Sequence, residues 1–258
     1  MNICASELNF TFPGKRTSLL RDVNFTWKQG QVVVLQGKNG VGKSTLTRII
    51  CKALPDDYET CISGCLCLDC VQADHLSADQ LAAHESPDEA KKAESARVNL
   101  LTIGRRQSAQ YISALFPDPD LQILTPDTES ELAFGLEQQG IPVNRMNDMI
   151  NEIISELSLK PLRYRNPRLC SGGEKQLILF AAILLMNRPF LILDEALAMI
   201  DNSRIDKVKE MIARHKRASA GLLLIDHQGR FDDIADEVWS LKEGHLTLQS
   251  RCQVRELK

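Results

Sequence analysis

The stretch Gly37-Lys38-Asn39-Gly40-Val41-Gly42-Lys43-Ser44-Thr45 decides the fold of this chain. It follows a strand-like apolar run at residues 32–35 and opens a predicted helix at residues 46–54, which is the setting of a phosphate-binding loop. Its glycines let backbone N–H groups close around a polyphosphate, and the start of the helix adds partial positive charge. Lys43 is expected to reach the terminal phosphates, and the Ser44 hydroxyl to ligate Mg²⁺. The sequence therefore predicts a nucleotide site formed by Gly37, Asn39, Gly40, Gly42, Lys43, Ser44 and Thr45.

Bulk properties place few other limits on function. The chain has 258 residues, 43% of them hydrophobic and 25% charged, which is ordinary for a globular protein of one large or two small domains. A net charge of −3 gives no general reason to expect nucleic-acid binding. The longest apolar stretch, near residues 177–186, is too short to cross a bilayer. The sequence shows no charged-then-apolar leader, so we do not expect secretion. Eight cysteines beside a phosphate loop favour free thiols in a reducing cytosol over a disulfide framework.

The N-terminal part is predicted to be rich in β-strands. Alternating residues at 8–12 and 23–27 predict two strands, and a Pro-Gly turn follows the first of them. Phe12, at the end of the first predicted strand, is a candidate for stacking on an adenine ring through its π-face. From the pattern alone, a core aromatic on a strand is an equally good interpretation.

A cysteine-rich stretch at residues 61–70 has the spacing C-x₃-C-x-C-x₂-C. Four thiols so close together suggest a zinc or iron–sulfur site, but the spacing matches none of the paired C-x-x-C patterns. Cys65 and Cys67 alternate with leucines as one face of a strand would, so ordinary strand packing is the favoured interpretation. Residues 74–97 come next and carry too few large apolar side chains to build a core, which predicts an exposed polar insertion.

Two later strands are predicted to end in side chains that suit nucleotide hydrolysis. The apolar run at residues 190–193 is followed by Asp194 and Glu195, and the run at residues 222–225 is followed closely by His227. Such strand ends hold the sites of open α/β sheets. Asp194 is predicted in the Mg²⁺ shell, Glu195 as the general base, and His227 as a group that orients the attacking water or contacts the γ-phosphate. The alternatives are an N-cap role for the acidic pair and a structural role for the histidine.

A second glycine element, Ser171-Gly172-Gly173, precedes a strongly apolar helix that is predicted to end near Met186. Its N–H groups and helix start would again suit a phosphate. One nucleotide cannot easily occupy two clamps so far apart in a small domain. A head-to-tail dimer solves this, because each subunit's second clamp then closes over the other subunit's nucleotide.

Strands alternate with helices along the rest of the chain, which predicts a mainly parallel sheet with right-handed crossovers. Apolar residues repeat with helical spacing at residues 146–159, and a shorter helix is predicted to begin near Thr128. The prolines of residues 117–120 predict a loop before that helix.

Taken in order, these segments resemble the ATP-binding cassette (ABC) ATPases over about residues 8–248. The matching segments are residues 37–45 (Walker A), 169–174 (signature), 190–195 (Walker B with the catalytic glutamate), 198–201 (D-loop) and His227 (switch histidine). The resemblance implies ATP and Mg²⁺ as cofactors and places Phe12 where the family stacks an aromatic on adenine. It also implies that Asp201 is the D-loop aspartate and that the partner's nucleotide is bound by Ser171, Gly172, Gly173 and Glu174.

The fold that this resemblance implies is α/β, a P-loop NTPase of the ABC ATPase type. We expect a mainly parallel core sheet, an N-terminal antiparallel β subdomain and an inserted α-helical subdomain at about residues 118–187. Residues 1–258 would form this single domain.

Within the family, the chain most resembles the ATPases of energy-coupling-factor (ECF) importers, which implies the uptake of a micronutrient such as a vitamin or a metal. Residues 116–122 resemble that group's F-Q-N-P-D-x-Q stretch, and residues 131–135 resemble its D-V-A-F-G stretch. Pro117 stands where the family's Q-loop glutamine ligates Mg²⁺, so that contact would be lost or supplied by Gln122. Cys170, Glu174 and the pair Ala196-Leu197 are further departures that bear on the rate and coupling of hydrolysis.

The resemblance implies a dimeric ATPase at the cytoplasmic face of the cell membrane, peripheral to integral membrane subunits that it powers. Its second ATPase subunit would be the same chain or a homologue. A weakly hydrolysing partner in an asymmetric heterodimer is the first alternative, motivated by Pro117 and opposed by Glu195 and His227. A soluble ABC ATPase that acts on nucleic acid is the second, and the single cassette without a basic face disfavours it.

Overall fold

The computed structural model describes residues 1–69 and 97–251. Its strands are β1 (Asn2–Phe10), β2 (Leu20–Lys28), β3 (Val32–Gln36), β4 (Ile62–Asp69), β5 (Arg97–Asn99), β6 (Ile112–Leu115), β7 (Phe190–Asp194), β8 (Gly221–Ile225), β9 (Glu237–Lys242) and β10 (His245–Arg251). Its α-helices are α1 (Lys43–Ile50), α2 (Arg105–Ser108), α3 (Thr128–Gln138), α4 (Val143–Glu156), α5 (Gly172–Leu185) and α6 (Asn202–Arg217).

These strands form two sheets. The first has the order β2-β1-β4-β5, and all of its pairs are antiparallel. The second has the order β10-β9-β3-β8-β7-β6, in which every pair is parallel except β9 with β10. Three longer helices, α3 to α5, lie between β6 and β7 in the chain. The predicted fold, with an antiparallel N-terminal part, a mainly parallel sheet and inserted helices, is confirmed.

The six-stranded sheet separates two hydrophobic cores. Val32 and Val34 of β3 face a core that also contains the apolar residues of α3 to α6. Val33 and Leu35 face the opposite core, which joins the antiparallel sheet to α1. Because successive side chains of a strand point to opposite faces, a strand covered on both sides must be apolar at every position. This explains why β3, β7 and β8 appear in the sequence as unbroken apolar runs.

Some predicted element boundaries differ from the structure. The helix expected at residues 146–159 is α4, which begins after Pro142 and ends before Ser158, whose φ of 55° is left-handed. A proline before the first turn and a left-handed residue after the last turn both terminate helices, and the apolar spacing does not report either. The first strand ends at Phe10, so Phe12 lies in a loop and not on a strand.

The cysteine-rich stretch contributes to the antiparallel sheet. Cys65 and Cys67 lie in β4 with their Sγ atoms 3.0 Å apart, and burial raises the pKa of Cys67 to about 11. Strand packing is therefore confirmed for Cys65 and Cys67. Cys70, the last cysteine of the stretch, lies outside the described residues. The predicted polar insertion at residues 74–97 also lies outside them, apart from Arg97, which begins β5. In residues 1–69 and 97–251, no helix has the length and apolar character that a membrane span needs.

Candidate active site

The phosphate loop connects β3 to α1, and the start of α1 has no side-chain cap. Its N-cap residue, Gly42, has φ 111°, a conformation that side-chain-bearing residues rarely adopt. A Cβ at this position would lie 3.1 Å from the Leu19 side chain. The first turn also contains no acidic residue. The N–H groups at this helix start therefore face the loop without a competing side-chain acceptor, as an anion site requires.

The Lys43 ammonium is held by the loop itself. Its Nζ donates hydrogen bonds to the carbonyls of Gly37 and Lys38, at 2.9 and 3.0 Å. Burial lowers the pKa of Lys43, and Glu195 and Asp194 act in the opposite direction. In the part of the chain that the structure describes, no carboxylate forms an ion pair with this lysine. A buried cation bonded only to neutral carbonyls is well prepared to bind phosphate oxygens.

Asp194 is completely buried at the end of β7 and receives two hydroxyl hydrogen bonds. Ser44 Oγ donates to Oδ1 at 3.0 Å, and Thr47 Oγ1 donates to Oδ2 at 3.1 Å. Burial raises the pKa of this carboxyl, and the two hydroxyl hydrogen bonds offset only part of that effect. Ser44 and Asp194 together offer the hard oxygen ligands that Mg²⁺ prefers. The residues present therefore fit the predicted metal.

Glu195 and His227 meet at the ends of β7 and β8. His227 Nε2 lies 2.7 Å from Glu195 Oε1, and both side chains are about one-third exposed, at 36% and 34%. Glu195 has φ 52°, a left-handed conformation that is uncommon for a residue with a side chain. Its N–H donates to the carbonyl of Ile225 at 3.1 Å, which ties it to the neighbouring strand. Backbone strain of this kind is often found at functional positions.

A cavity of about 220 Å³ opens between the phosphate loop and Glu195. Its lining includes seven of the eight predicted nucleotide residues, namely Phe12, Asn39, Gly40, Gly42, Lys43, Ser44 and Thr45. Leu19 and the predicted base Glu195 also line it, and Gly37 does not. Phe12 is half-buried and makes edge-to-face contacts with Phe10 and Tyr58, with ring centroids 4.8 and 5.7 Å away. It therefore packs against other aromatics from a loop and also borders the cavity, and its stacking on adenine stays a prediction.

The signature residues lie elsewhere, at the start of α5, and do not line this cavity. Ser171 and Glu174 form a capping box: the Ser171 N–H donates to Glu174 Oε2 at 2.8 Å, and Ser171 Oγ is 2.9 Å from the same oxygen. These bonds to Ser171 hold the pKa of Glu174 below its usual value. Gly172 and Gly173 pack directly on the D-loop, since a Cβ on Gly173 would lie 2.5 Å from the Met199 carbonyl.

The structure does not support Gln122 as a metal ligand. Its Oε1 accepts the Phe116 N–H at 2.8 Å, and its Nε2 donates to the Ala114 carbonyl at 3.1 Å. Both polar atoms of the amide are therefore used to close the loop that contains Pro117. The sequence placed Gln122 near the site by its spacing, but spacing does not show that nearby backbone groups bind the amide first.

Three side chains around the site were not identified from the sequence. Thr47 follows Ser44 by three residues on α1, and this helical spacing was a usable signal for a second hydroxyl on Asp194. Gln176 Oε1 accepts the Met199 N–H at 2.8 Å, and Arg230 Nη2 donates to the Leu197 carbonyl at 2.9 Å. The first bond is to the backbone of the D-loop and the second is to the backbone just before it. No pattern of residue types predicts such contacts. Asp201 itself precedes α6 as its N-cap residue and makes no side-chain capping bond.

Comparisons with known proteins agree with this arrangement. Residues 20–198 match the family model described as ABC transporter. A putative ABC transporter ATP-binding protein of Treponema denticola is 27% identical over 95% of this chain, which spans 45% of that protein. The ECF transporter ATP-binding protein EcfA1 of Thermotoga maritima is also 27% identical over 95% of this chain, which spans 80% of it.

Solved structures show the same fold. The structure of cbiO1 from Clostridium perfringens, described as part of the ABC transporter complex cbiONQ, has a TM-score of 0.68 at 22% identity. The alignment covers 96% of this chain and 88% of that one. Since the family model matches more than half of the chain, and the phosphate loop, Asp194 and Glu195 meet at one edge of the parallel sheet, the chain belongs to the ABC transporter family and is an ABC-type ATPase most similar to those of ECF transporters.

Proposed function

We propose that this protein is the ATP-hydrolysing subunit of an ECF-type membrane importer, and that it works with Mg²⁺ as a dimer. The observation that carries the proposal is that Lys43 and Glu195 line one cavity, while the buried Asp194 bonds to the cavity residue Ser44 and His227 bonds to Glu195. Such a set can bind a polyphosphate, hold a divalent cation and accept a proton from water.

Each group has a distinct role in the proposed reaction. The uncapped start of α1 and Lys43 would bind the phosphates, and Ser44 and Asp194 would hold Mg²⁺, which would neutralise charge on the phosphate oxygens. The Glu195 carboxylate accepts the proton of the attacking water. His227 bonds to that carboxylate at 2.7 Å and fixes its orientation. Phe12 borders the same cavity and presents a π-face that suits the adenine ring.

A dimer completes this site. Ser171, Gly172, Gly173 and Glu174 lie outside their own subunit's cavity, at a helix start where backbone N–H groups can approach an anion. In a two-fold dimer each signature segment would close over the partner's nucleotide, with Asp201 and the rest of the D-loop beside it. A second copy of this chain or a homologous ATPase would serve equally well.

Exposed apolar residues support docking on a membrane subunit. Leu121 is 81% exposed and Leu124 62% exposed, and both lie in the segment between β6 and α3. Exposed apolar side chains that lie near each other are typical of an interaction surface. We propose that this segment contacts an integral membrane subunit and that the ATPase is peripheral, at the cytoplasmic face of the membrane. The ECF relatives and the cbiO1 structure point in the same direction.

Pro117 keeps one alternative open within the same family. A rigid proline in place of the Q-loop glutamine, with Gln122 bound to the backbone, favours a slow ATPase that serves as one half of an asymmetric heterodimer. The Glu195–His227 pair favours the hydrolysing form, because both the proposed base and a side chain that orients its carboxylate are present.

The Glu195→Gln variant tests the proposal. Loss of the general base should lower phosphate release at least about a hundredfold and leave MgATP binding intact, so that an ATP-bound dimer accumulates. Phosphate-release assays and size-exclusion chromatography with MgATP measure both effects, and Glu210→Gln on the exposed side of α6 is the matched control. A variant that stays monomeric and fully active would refute the assigned site. Recovery of the chain with no integral membrane protein, after mild solubilisation of the membranes, would refute the importer role.

A further inference from the structure

The D-loop (residues 198–201) and the two residues before it are held on one side by Arg230, which follows the switch histidine by three residues. The Arg230 side chain is only 11% exposed. Its Nη2 donates to the Leu197 carbonyl at 2.9 Å, and its Nη1 lies 3.4 Å from the Ile200 carbonyl. One guanidinium thus bonds to backbone at both ends of the turn that follows Glu195.

Arg230 is also bonded within the switch segment, residues 226–230, which contains the switch histidine. Its backbone N–H donates to Asp226 Oδ2 at 2.7 Å, and its guanidinium lies 3.5 Å from Asp226 Oδ1. Asp226 is buried and directly precedes His227. A buried carboxylate and guanidinium hold each other in place, because separating them would leave an uncompensated charge inside the protein.

The opposite side of the D-loop is held by the signature helix. Gln176 of α5 is 2% exposed, and its Oε1 accepts the Met199 N–H at 2.8 Å. The two signature glycines pack against the same methionine, since a Cβ on Gly172 would lie 2.4 Å from its Sδ. The D-loop is therefore held between the signature helix and the switch segment by hydrogen bonds and close packing.

These contacts bear directly on Glu195, because only two residues separate it from the D-loop. The Ala198 N–H donates to the Glu195 carbonyl at 3.2 Å, so the first turn of the D-loop closes on Glu195 itself. Glu195 has a left-handed backbone that surrounding contacts must maintain. Its side chain reaches His227, whose position depends in turn on the Asp226–Arg230 contact.

We propose that Arg230 is a positioning residue that joins the D-loop and the switch segment into one rigid unit and thereby keeps Glu195 and His227 at hydrogen-bonding distance. The inference rests on the proposed ATPase and dimer. Through Gln176 the same unit includes the signature segment, so contact with the partner's nucleotide is transmitted to the subunit's own Glu195. Arginine suits this role because its planar fork bonds to two carbonyls and one carboxylate at fixed angles, which a lysine ammonium cannot do.

The test compares Arg230→Lys with Arg214→Lys, a control that alters an ion pair to Glu156 between α4 and α6. Arg230→Lys keeps the charge opposite Asp226 and loses the fork. We expect turnover per bound nucleotide to fall at least about tenfold, with MgATP affinity within twofold of wild type, because small displacements of a catalytic group are costly. Amide hydrogen exchange should rise in the D-loop. Arg214→Lys should change none of these quantities.

Two results would overturn the proposal: unchanged turnover per bound nucleotide in Arg230→Lys, or a loss that only follows reduced nucleotide binding. If Arg230→Lys does not fold, Gln176→Met loosens the opposite side without leaving a charge unpaired. We then expect faster exchange at the Met199 amide and severalfold lower turnover, and wild-type values for both would overturn the proposal. Hydrogen exchange separates this inference from the proposed function. A wild-type protein without turnover would refute the proposed ATPase activity. Amide hydrogen exchange in the D-loop would still show whether Arg230 and Gln176 hold this loop in place.

Discussion

Glycines stand at the start of both α1 and α5, yet the first turns of the two helices are hydrogen-bonded differently. The start of α1 has glycine as its N-cap, no side-chain cap and no acidic residue. The start of α5 is closed by a capping box in which Glu174 occupies the N–H and hydroxyl of Ser171. Free N–H groups at a helix start attract anions, whereas a capping carboxylate satisfies some of them and adds negative charge. Similar sequences thus give one open phosphate site and one that is already self-bonded.

This difference matches the proposed division of labour. The open start of α1 can bind a nucleotide within a single subunit, in the cavity that Lys43 and Ser44 line. The closed start of α5 lies outside that cavity and would bind phosphate only when a partner brings it. The variants below test whether the two helix starts have these separate roles.

The largest expected effect is at α1. Lys43→Ala should lower MgATP affinity by about a hundredfold, because each charge-assisted hydrogen bond contributes about 1.5–3 kcal/mol. Isothermal titration measures this loss. The control, Lys209→Ala, removes a lysine whose ion pair with Asp233 lies between α6 and a surface loop, and it should leave affinity unchanged. Equal affinities for the two variants would mean that α1 is not the phosphate site.

Asp194→Asn should give the next largest effect, with opposite signs for stability and activity. Burial raises the pKa of Asp194, so its charge destabilises the nucleotide-free fold at neutral pH, and this destabilisation disappears as the pH falls through that raised pKa. We expect the free variant to melt about 2–4 °C higher, as a gain of about 1 kcal/mol gives in a chain of this size. Its turnover should be almost lost. Thermal unfolding with and without MgATP measures both states, since only the wild type should gain stability from the ligand.

The control for Asp194→Asn is Asp233→Asn, which removes a carboxylate from the surface pair with Lys209. It should change the melting temperature little and leave MgATP stabilisation intact, because surface ion pairs contribute only about 0–1 kcal/mol. A lower melting temperature for nucleotide-free Asp194→Asn would contradict the view that the buried charge destabilises the nucleotide-free fold.

Glu174→Gln should change the behaviour of α5 by a smaller factor. The amide oxygen still accepts from Ser171, but the negative charge at the signature is removed. We therefore expect ATP-driven dimerisation to tighten severalfold, with ATP binding by the monomer unchanged, as sedimentation at several protein concentrations can measure. Glu152→Gln, on the exposed side of α4, is the control. Weaker dimerisation in Glu174→Gln would show that the carboxylate itself is needed.

We also predict that the stability of the start of α5 depends on pH. Since the bonds to Ser171 lower the pKa of Glu174 from its ordinary 4.5, the carboxylate stabilises the start of α5 above that value. The stabilisation should fade as the pH falls below 4.5, through the lowered pKa of the folded state. In Glu174→Gln this part of the acid sensitivity should be absent.

The smallest effects are expected in the loop that touches both helices. Arg48 of α1 lies over the Phe116 ring at 5.5 Å, and Lys175 of α5 pairs with Asp120 at 2.7 Å. Because Gln122 closes this loop, Gln122→Ala should lower turnover about two- to threefold, and Pro117→Gln should change it less than twofold. Turnover against Mg²⁺ concentration measures both. A large gain in Pro117→Gln would mean that a glutamine at this position does reach the metal.

Much of the site could be predicted from sequence because its residues follow one another closely. The phosphate loop needs glycines at particular backbone positions, and Asp194 and Glu195 follow an apolar strand without an intervening residue. The backbone bonds of Gln122, Gln176 and Arg230 were not foreseen, because each of these side chains bonds to backbone carbonyls or N–H groups. Backbone acceptors and donors are the same at every residue, so no pattern of residue types identifies them.

The sequence by itself determined the two-sided apolar strands, the uncapped glycine start of α1 and the family, because all of these depend on neighbouring residues and their periodicity. Only the tertiary structure decided which strand ends meet, that Glu195 and His227 lie 2.7 Å apart across 32 residues, and that Arg230 and Gln176 grip the D-loop from two sides. The physical reason is that hydrogen bonds and packing act over distances of a few ångströms in space. Folding alone brings residues that are remote in the chain within that range.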